Sequence, residues 1–175
     1  MTINCTIDSV SMQHLCRPAI IKKGSKKADD ILGLDAISVA LQRAKLKICV
    51  DEDMALTDEW SKTCSLEMIQ PILTKWIESD GIILCNAKRQ KIPLSLNKKL
   101  REANFRDAGD KLIVRIGLAA LGGNTPPFLV ATNDGDFWDP NDGTKSGNNA
   151  APVASLLREH SIHSTQLKEF FSLLT

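Results

Sequence analysis

The segment Phe128-Leu-Val-Ala-Thr132-Asn-Asp134-Gly-Asp136-Phe-Trp138 joins a short apolar run to two acidic residues separated by one glycine. Unbroken apolar runs such as residues 128–131 are typical of an inner strand of a parallel sheet, which is covered on both faces. Ligands in open α/β sheets bind beyond the carboxyl ends of such strands. We therefore expect the polar residues that follow the run to border a crevice. They are Thr132, Asn133, Asp134 and Asp136.

The alternative is that residues 133–136 form only a turn, because Asn, Asp and Gly tolerate the backbone angles of turns. A calcium loop of the EF-hand type is excluded. That pattern requires an acid or Asn at its fifth position and Gly at its sixth, where this chain has Trp138 and Asp139. The choice between turn and site depends on whether other elements bring acids to the same place.

The chain has 175 residues, of which 43% are hydrophobic and 25% charged, a composition that predicts one domain spanning residues 1–175. No stretch approaches the roughly 20 apolar residues that span a bilayer. The first eight residues lack the basic start and apolar centre of a secretory signal, so we expect a cytoplasmic protein without a membrane partner.

The five cysteines are scattered and contain no Cys-x-x-Cys pair, which predicts reduced, mostly buried thiols rather than a disulfide framework or a zinc site. The histidines at 14, 160 and 163 do not complete a metal-ligand set with them. A Cys-His nucleophilic site stays open, without a positive signal.

In the first third of the chain, β-branched residues predict a strand over 2–7 that ends at Asp8, followed by a helix from about Val10. A basic connector at 21–27 precedes a helical pattern over 28–44 and a second buried strand over 46–50. This order of strand, helix and strand predicts a parallel crossover unit.

Next, Thr57 or Asp58 is the predicted N-cap of one long helix that runs to residue 77, with a break or kink at Pro71, and stops at residues 80–81. Residues 81–85 are apolar. The basic stretch 86–101 is predicted to be an irregular insertion that contains a short helix.

A further helix is predicted from Asp107-Ala-Gly-Asp110, with Asp110 on the same face as Val114 and Gly117, directed at the core edge. Alternatively, Asp110 only complements the helix dipole or pairs with Arg106 or Arg115. The end of the chain is predicted to hold a connector, the strand from 128, a mobile loop, a helix, a brief strand and a final helix. The connector covers residues 122–127, the strand 128–131, the loop 139–151 and the helix 152–160. The brief strand lies at Ile162, and the final helix covers residues 165–174.

Four acids are expected at the same edge of a doubly wound sheet, although each also has a local explanation as a helix cap or turn residue. They are Asp8, Glu59, Asp110 and Asp134. Clustered carboxylates repel each other, and hard divalent cations with oxygen ligands are the usual compensation. Mg²⁺ or Mn²⁺ bound there would activate water for attack on a phosphodiester.

The order of these motifs resembles the PIN-domain nucleases over nearly the whole chain. The segment from Thr132 to Phe137 is similar to the Thr-x-Asp-x-Asp-Phe signature of that family, and the run that begins at Asp110 resembles its helix ahead of that strand. The first strand with Asp8, and Glu59-Trp60 behind a strand that ends in Asp51, also resemble the family.

The resemblance implies a three-layer α/β/α sandwich with a mainly parallel sheet and a metal-dependent endonuclease that usually cuts RNA. It implies that Asp8, Glu59, Asp110 and Asp134 bind the metal, that Asp136 is an accessory acid and that Thr132 orients the site. Asp8 is followed by Ser-Val where the family most often has Thr-Asn, and Asp51 is a rival to Glu59 as the second acid. A role as a toxin or defence effector rests on this analogy alone.

The expected partner is nucleic acid, RNA before DNA, with basic side chains that grip phosphates; an inhibitor protein or a homo-oligomer stays open. Trp138 is placed to stack one base. One rival is a non-catalytic binding module in which the acids are caps, and another is a phosphatase acting on small substrates. The candidate basic residues are Lys22, Lys23, Lys26, Lys27, Lys88, Arg89 and Lys91.

Overall fold

The computed structural model describes residues 2–16, 36–43, 45–121, 127–132, 134–137 and 150–174. Helices and strands alternate along this part of the chain. In order they are β1 (Ile3–Ile7), α1 (Ser9–Cys16), β2 (Leu46–Asp51), α2 (Ala55–Cys64), α3 (Leu66–Glu78), β3 (Ile82–Cys85), α4 (Leu94–Glu102), α5 (Ala108–Ala120), β4 (Phe128–Ala131), α6 (Ala150–Arg158), β5 (Ile162–Thr165) and α7 (Leu167–Leu174). Residues 36–42 are also helical.

The five described strands form one sheet in the order β3-β2-β1-β4-β5, and every neighbouring pair is parallel. β1 is the middle strand, with Cys5 opposite both Ile48 of β2 and Leu129 of β4. The predicted α/β class, the parallel crossover from β1 to β2 and the inner position of the 128–131 strand are therefore confirmed.

The core lies between the sheet and the helices that flank it. All four residues of β4 are buried, and α5 crosses the sheet in contact with each of the five strands. Gly117 permits this approach, because a Cβ atom there would lie 3.0 Å from the side chains of Phe128 and Ile162. α5 is thereby held against the sheet along its length, which fixes the position of its first turn.

One predicted helix is in fact two. α2 ends before Ser65, whose φ of 70° is incompatible with a continuing helix, and α3 starts at the next residue. This break lets Trp60 of α2 and Trp76 of α3 meet edge to face, with ring centroids 6.4 Å apart. Of the break or kink predicted at Pro71, the break is absent, because Pro71 lies on the exposed side within α3 and the helix continues to Glu78.

The predicted N-cap at Thr57 or Asp58 was also wrong. α2 begins at Ala55, and the carboxylate of Asp51 accepts hydrogen bonds from the backbone N–H groups of Ala55 and Leu56, both at 2.9 Å. Asp51, the last residue of β2, thus provides the N-terminal capping that was predicted for Thr57 or Asp58.

Other predictions are confirmed: the short helix in the basic insertion is α4, the last strand is β5, and the terminal helix is α7. All five cysteines are buried free thiols. None of the helices in the described ranges has the length and apolar character required to cross a bilayer. The basic connector 21–27, most of the 122–127 connector, Asn133 and the loop from Trp138 to residue 149 lie outside the described residues.

Candidate active site

Asp8 and Asp134 lie at the carboxyl ends of two adjacent strands. β1 pairs with β2 on one side and with β4 on the other, so the chain reverses its direction across the sheet between β1 and β4. Ligands of open parallel sheets bind in the crevice that such a reversal creates. Asp8 directly follows β1, and Asp134 comes shortly after β4, so both acids flank this crevice.

Thr132 connects the two strand ends. Its fully buried hydroxyl donates a hydrogen bond to the Asp8 carboxylate and accepts one from the backbone N–H of Asp134 at 2.9 Å. The other Asp8 carboxylate oxygen accepts from the backbone N–H of Ser11 in the first turn of α1. Asp8 therefore caps α1 and is also held in the crevice, so the local explanation and the functional one both apply to it.

The turn after β4 is anchored by an aromatic contact. Phe137 is fully buried and packs edge to face on Phe105, with ring centroids 5.1 Å apart. Within the turn, the carboxylate of Asp134 accepts the backbone N–H of Asp136 at 3.0 Å. The turn interpretation of residues 133–136 is thus correct for the described residues, and the turn leaves Asp134 close enough to Asp8 for its charge to act there.

Asp110 enters the site from the first turn of α5. Asp107 is the N-cap of this helix and accepts the backbone N–H groups of Gly109 and Asp110 at 2.7 and 3.4 Å. Neither Arg106 nor Arg115 forms an ion pair with Asp110, so that alternative was wrong. Among the described residues its carboxylate has no hydrogen-bond donor either.

The acids act on each other electrostatically. Burial is the main cause that raises the pKa of Asp110 to about 7, and the negative charges on Asp134, Asp107, Asp136 and Asp8 contribute to the same increase. Burial is also the main cause that raises the pKa of Asp8, against hydrogen bonds from Thr132 and Ser11 that lower it, and Asp134 adds to the increase. Such shifts require the other four acids to lie close to Asp110.

Asp136 belongs to the same group at its exposed margin. Its pKa is raised by burial first and then by the charges of Asp134 and Asp107. The resemblance implied an accessory role for Asp136, and the structure places this exposed side chain next to Asp134 in the turn.

Glu59 lies on the other side of Asp107. A Cβ atom built on Gly109 would lie 2.9 and 3.0 Å from the two carboxylate oxygens of Glu59, so the carboxylate rests on the backbone at the start of α5. Burial and then the charge of Asp107 raise its pKa, and Lys62 lowers it. Asp8, Asp110 and Asp134 are not among the charges that act on it, so Glu59 is the outermost of the four predicted ligands.

Asp51, the rival for the second acid, is only 3% exposed and uses both carboxylate oxygens to cap α2. Its charge nevertheless contributes to the raised pKa of Glu59. Asp51 is thus committed to a structural contact, whereas Glu59 is not.

Asp107 is a member of the site that the sequence analysis did not identify. Its charge acts on Asp110, Asp136 and Glu59, and it is the only acid that links the inner group to Glu59 among the described residues. The available signal was the spacing Asp-x-x-Asp at a helix start, which places an N-cap acid and a first-turn acid at the same helix end.

The donor set fits a hard divalent cation by its chemistry, because it consists of carboxylate oxygens and no described cation forms an ion pair with Asp8, Asp110 or Asp134. In the described part of the chain, however, no three or more His, Cys, Asp or Glu side chains lie close enough together to enclose an ion in their present positions. The acids converge on one crevice without closing around a point.

Comparison with known proteins identifies no relative of this chain. No protein-family model matches it, nor does any curated protein or solved structure. Inference about its activity therefore depends on the geometry and electrostatics of the acids at the β1–β4 crevice.

Proposed function

We propose that this protein is a metal-dependent endonuclease that hydrolyses phosphodiester bonds, with RNA as its main substrate, on a PIN-like three-layer α/β/α fold. The observation that carries the proposal is Asp110. This partly buried carboxylate faces Asp8, Asp107, Asp134 and Asp136, and no described cation or hydrogen-bond donor compensates it. A fold tolerates such an acid where a bound cation offsets the repulsion.

In this proposal the carboxylates of Asp8, Asp110 and Asp134 hold Mg²⁺ or Mn²⁺, with Asp136 and Glu59 as outer acids. When bound, such an ion lowers the pKa of water and offsets charge that develops on a phosphate. Thr132 positions two of the ligands, since its hydroxyl contacts both Asp8 and the backbone of Asp134. Asp107 fixes the start of α5, and with it the direction of Asp110.

The raised pKa of Asp110 has a functional consequence. With a pKa of about 7, this carboxyl is about half protonated at neutral pH in the protein without metal. Metal ligands must be deprotonated, so cation and proton compete for it. We expect cation affinity and cleavage to increase with pH through this range.

A non-catalytic binding module on the same fold is the second candidate. It is favoured by the structural contacts of Asp8, Asp51 and Asp107, each of which caps a helix through a backbone N–H group. In that case the acids maintain α1, α2 and α5, and the cation requirement disappears. The raised pKa of Asp110 follows from burial and neighbouring acids in both candidates, so cation binding is the property that separates them.

Cleavage of labelled single-stranded RNA and DNA tests the proposal, with Mg²⁺, Mn²⁺ or EDTA present. We expect metal-dependent products from the wild-type protein and a loss of roughly a hundredfold or more in Asp110→Asn, Asp134→Asn and Asp8→Asn, because substitution even of the groups that support metal ligands costs about 10- to 100-fold. Asp80→Asn is the matched control, because Asp80 lies before β3 at the opposite edge of the sheet, exposed and paired with Lys47. Equal cleavage by all four variants would refute the site.

Titration calorimetry with Mn²⁺ separates the two candidates without a substrate. The nuclease proposal expects binding heat and an increase in the melting temperature that Asp110→Asn abolishes. Absence of both in the wild-type protein would favour the binding module.

A further inference from the structure

A basic groove of about 470 Å³ lies beside the start of α5. Four cationic side chains line it, together with the amides of Gln90 and Asn97, and no described acidic residue does. The cations are Lys88, Lys91, Lys111 and Arg115. The groove is therefore a concentrated positive surface on a protein whose formal net charge is only +1.

The groove and the acids use adjoining faces of the same helix. Lys111 and Arg115 are four residues apart on α5 and share a face with Ala108, which also lines the groove. Ala108 stands between Asp107 and Asp110 in sequence, and those two acids face the crevice. Since an α-helix is about 10 Å across, a chain that lies along the groove reaches the acids by passing around the first turn of α5.

In the part of the chain that the structure describes, these four cations are largely unpaired. Lys88 has only a largely exposed ion pair with Asp53 at 3.8 Å. Lys91, Lys111 and Arg115 have no ion pair with any described residue, and the Nε atom of Arg115 is buried without a hydrogen-bond partner in the described part of the chain. With respect to the described residues, the side chains of Lys91 and Lys111 are thus left to pair with an incoming anion.

We propose that this groove binds the backbone phosphates of a single polynucleotide strand and directs the strand to the acid crevice. The assignment to a substrate rests on the proposed nuclease function, whereas the binding does not. Cations and amides contact phosphates without reading bases, and none of the described residues that line the groove has an aromatic ring for stacking. We therefore expect the groove to bind RNA and DNA of the same sequence with equal affinity. Selection between RNA and DNA then takes place at the acid crevice.

Fluorescence anisotropy in EDTA tests the groove apart from catalysis. The probes are a labelled single-stranded RNA and the matching DNA, titrated with wild-type protein and with Lys91→Gln/Lys111→Gln at several salt concentrations. Log affinity falls linearly with log salt, and each lost phosphate contact makes this negative slope less steep by about 0.7 for single strands. The slope of the double variant should therefore be less steep than that of the wild-type protein by about 1.4, with the RNA probe and with the DNA probe.

The matched control is Lys45→Gln/Lys75→Gln, since both lysines are exposed and lie toward the amino ends of the strands, away from the groove. Its slope should equal that of the wild-type protein. Adding Arg115→Gln to the groove variant should lower the slope by a further 0.7 or so, provided that circular dichroism shows an unchanged fold.

Equal salt slopes for the groove variant and the control would overturn the proposal that the groove binds phosphates. A loss of affinity in the groove variant that depends on the base or the sugar of the probe would overturn it as well. Groove binding in a protein that never cleaves with Mn²⁺ supports the groove and refutes the proposed nuclease. Cleavage with unaltered binding by the groove variant refutes the groove alone. The two failures are therefore distinguishable.

Discussion

The hydroxyl of Thr132 donates a hydrogen bond to the carboxylate of Asp8, although the two residues are 124 positions apart in sequence. The same oxygen accepts the backbone N–H of Asp134, so one buried atom sets the spacing of two strand ends. Replacing it with a group of the same shape leaves a buried carboxylate and a backbone donor without their partner.

We therefore expect Thr132→Val to lower the free energy of unfolding by about 1.5 to 3 kcal/mol, the usual loss for a hydrogen bond to a charged group. Thr132→Ser keeps the oxygen and should lose less. Urea denaturation of the three proteins at neutral pH measures both values. A Val variant as stable as the Ser variant would show that the hydroxyl bridge contributes nothing.

Asp110 makes stability depend on pH. Its pKa rises from about 3.9 in the unfolded chain to about 7 in the folded protein, so the folded state binds more protons between these values. The contribution of Asp110 to the free energy of unfolding is thus greatest below about pH 3.9 and is lost as the pH increases through about 7. For this partly exposed carboxyl, screening reduces the effect to about 1 to 2 kcal/mol.

Asp110→Asn should remove that part of the pH dependence. Without metal, the variant should gain about 1 to 2 kcal/mol over the wild-type protein between about pH 4 and about pH 8. Denaturation in EDTA across this range measures the difference, and the other raised carboxyls are present in both proteins. A difference that does not change with pH would contradict the raised pKa.

In the proposed site, Gly109 leaves room for the Glu59 carboxylate at the start of α5. In Gly109→Ala the new methyl group would overlap the Glu59 carboxylate at 2.9 Å, and a flexible side-chain end moves away at little cost. Because Ala favours the helix by about 1 kcal/mol over Gly, stability should change by no more than about that amount. Mn²⁺ affinity should fall as much as in Glu59→Gln.

The double variant Gly109→Ala/Glu59→Gln provides the check by calorimetry. If displacement of Glu59 is the cause, its Mn²⁺ affinity should match that of Glu59→Gln alone. Additive losses would mean that the methyl group disturbs Asp107, whose carboxylate would be 3.1 Å away.

Asp51 should prove structural. Asp51→Ala removes the acceptor for two backbone N–H groups at the start of α2, and we expect a loss of about 1 to 2 kcal/mol in the free energy of unfolding. Mn²⁺ binding per folded molecule should persist. Denaturation and calorimetry on the same preparation test both expectations, and a stable Asp51→Ala protein without Mn²⁺ binding would restore Asp51 as the second acid.

Local patterns were sufficient for the strands and for most helices. The apolar run 128–131 and the β-branched run before Asp8 predicted buried parallel strands, because each has to be covered on both faces. The same patterns placed Asp8, Asp110 and Asp134 at one edge, since a parallel sheet collects its carboxyl ends there.

The errors came from interactions between elements. Ser65 ends α2 in a backbone conformation that Ser rarely adopts, and the packing of Trp60 on Trp76 is visible only after folding. Asp51 caps a helix four residues ahead through a turn that no propensity scale describes. Asp107 was overlooked because its influence on Asp110 and Glu59 depends on distance in space.

The pairing of β1 with β4 also bears on how the protein matures. Cys5 opposes Leu129 in this pairing, so more than a hundred residues must leave the ribosome before the middle of the sheet is complete. Closing so long a loop is slow, and long-range parallel pairing delays folding. In a nascent chain the acids are therefore still far apart, and the crevice forms only when β4 has paired with β1.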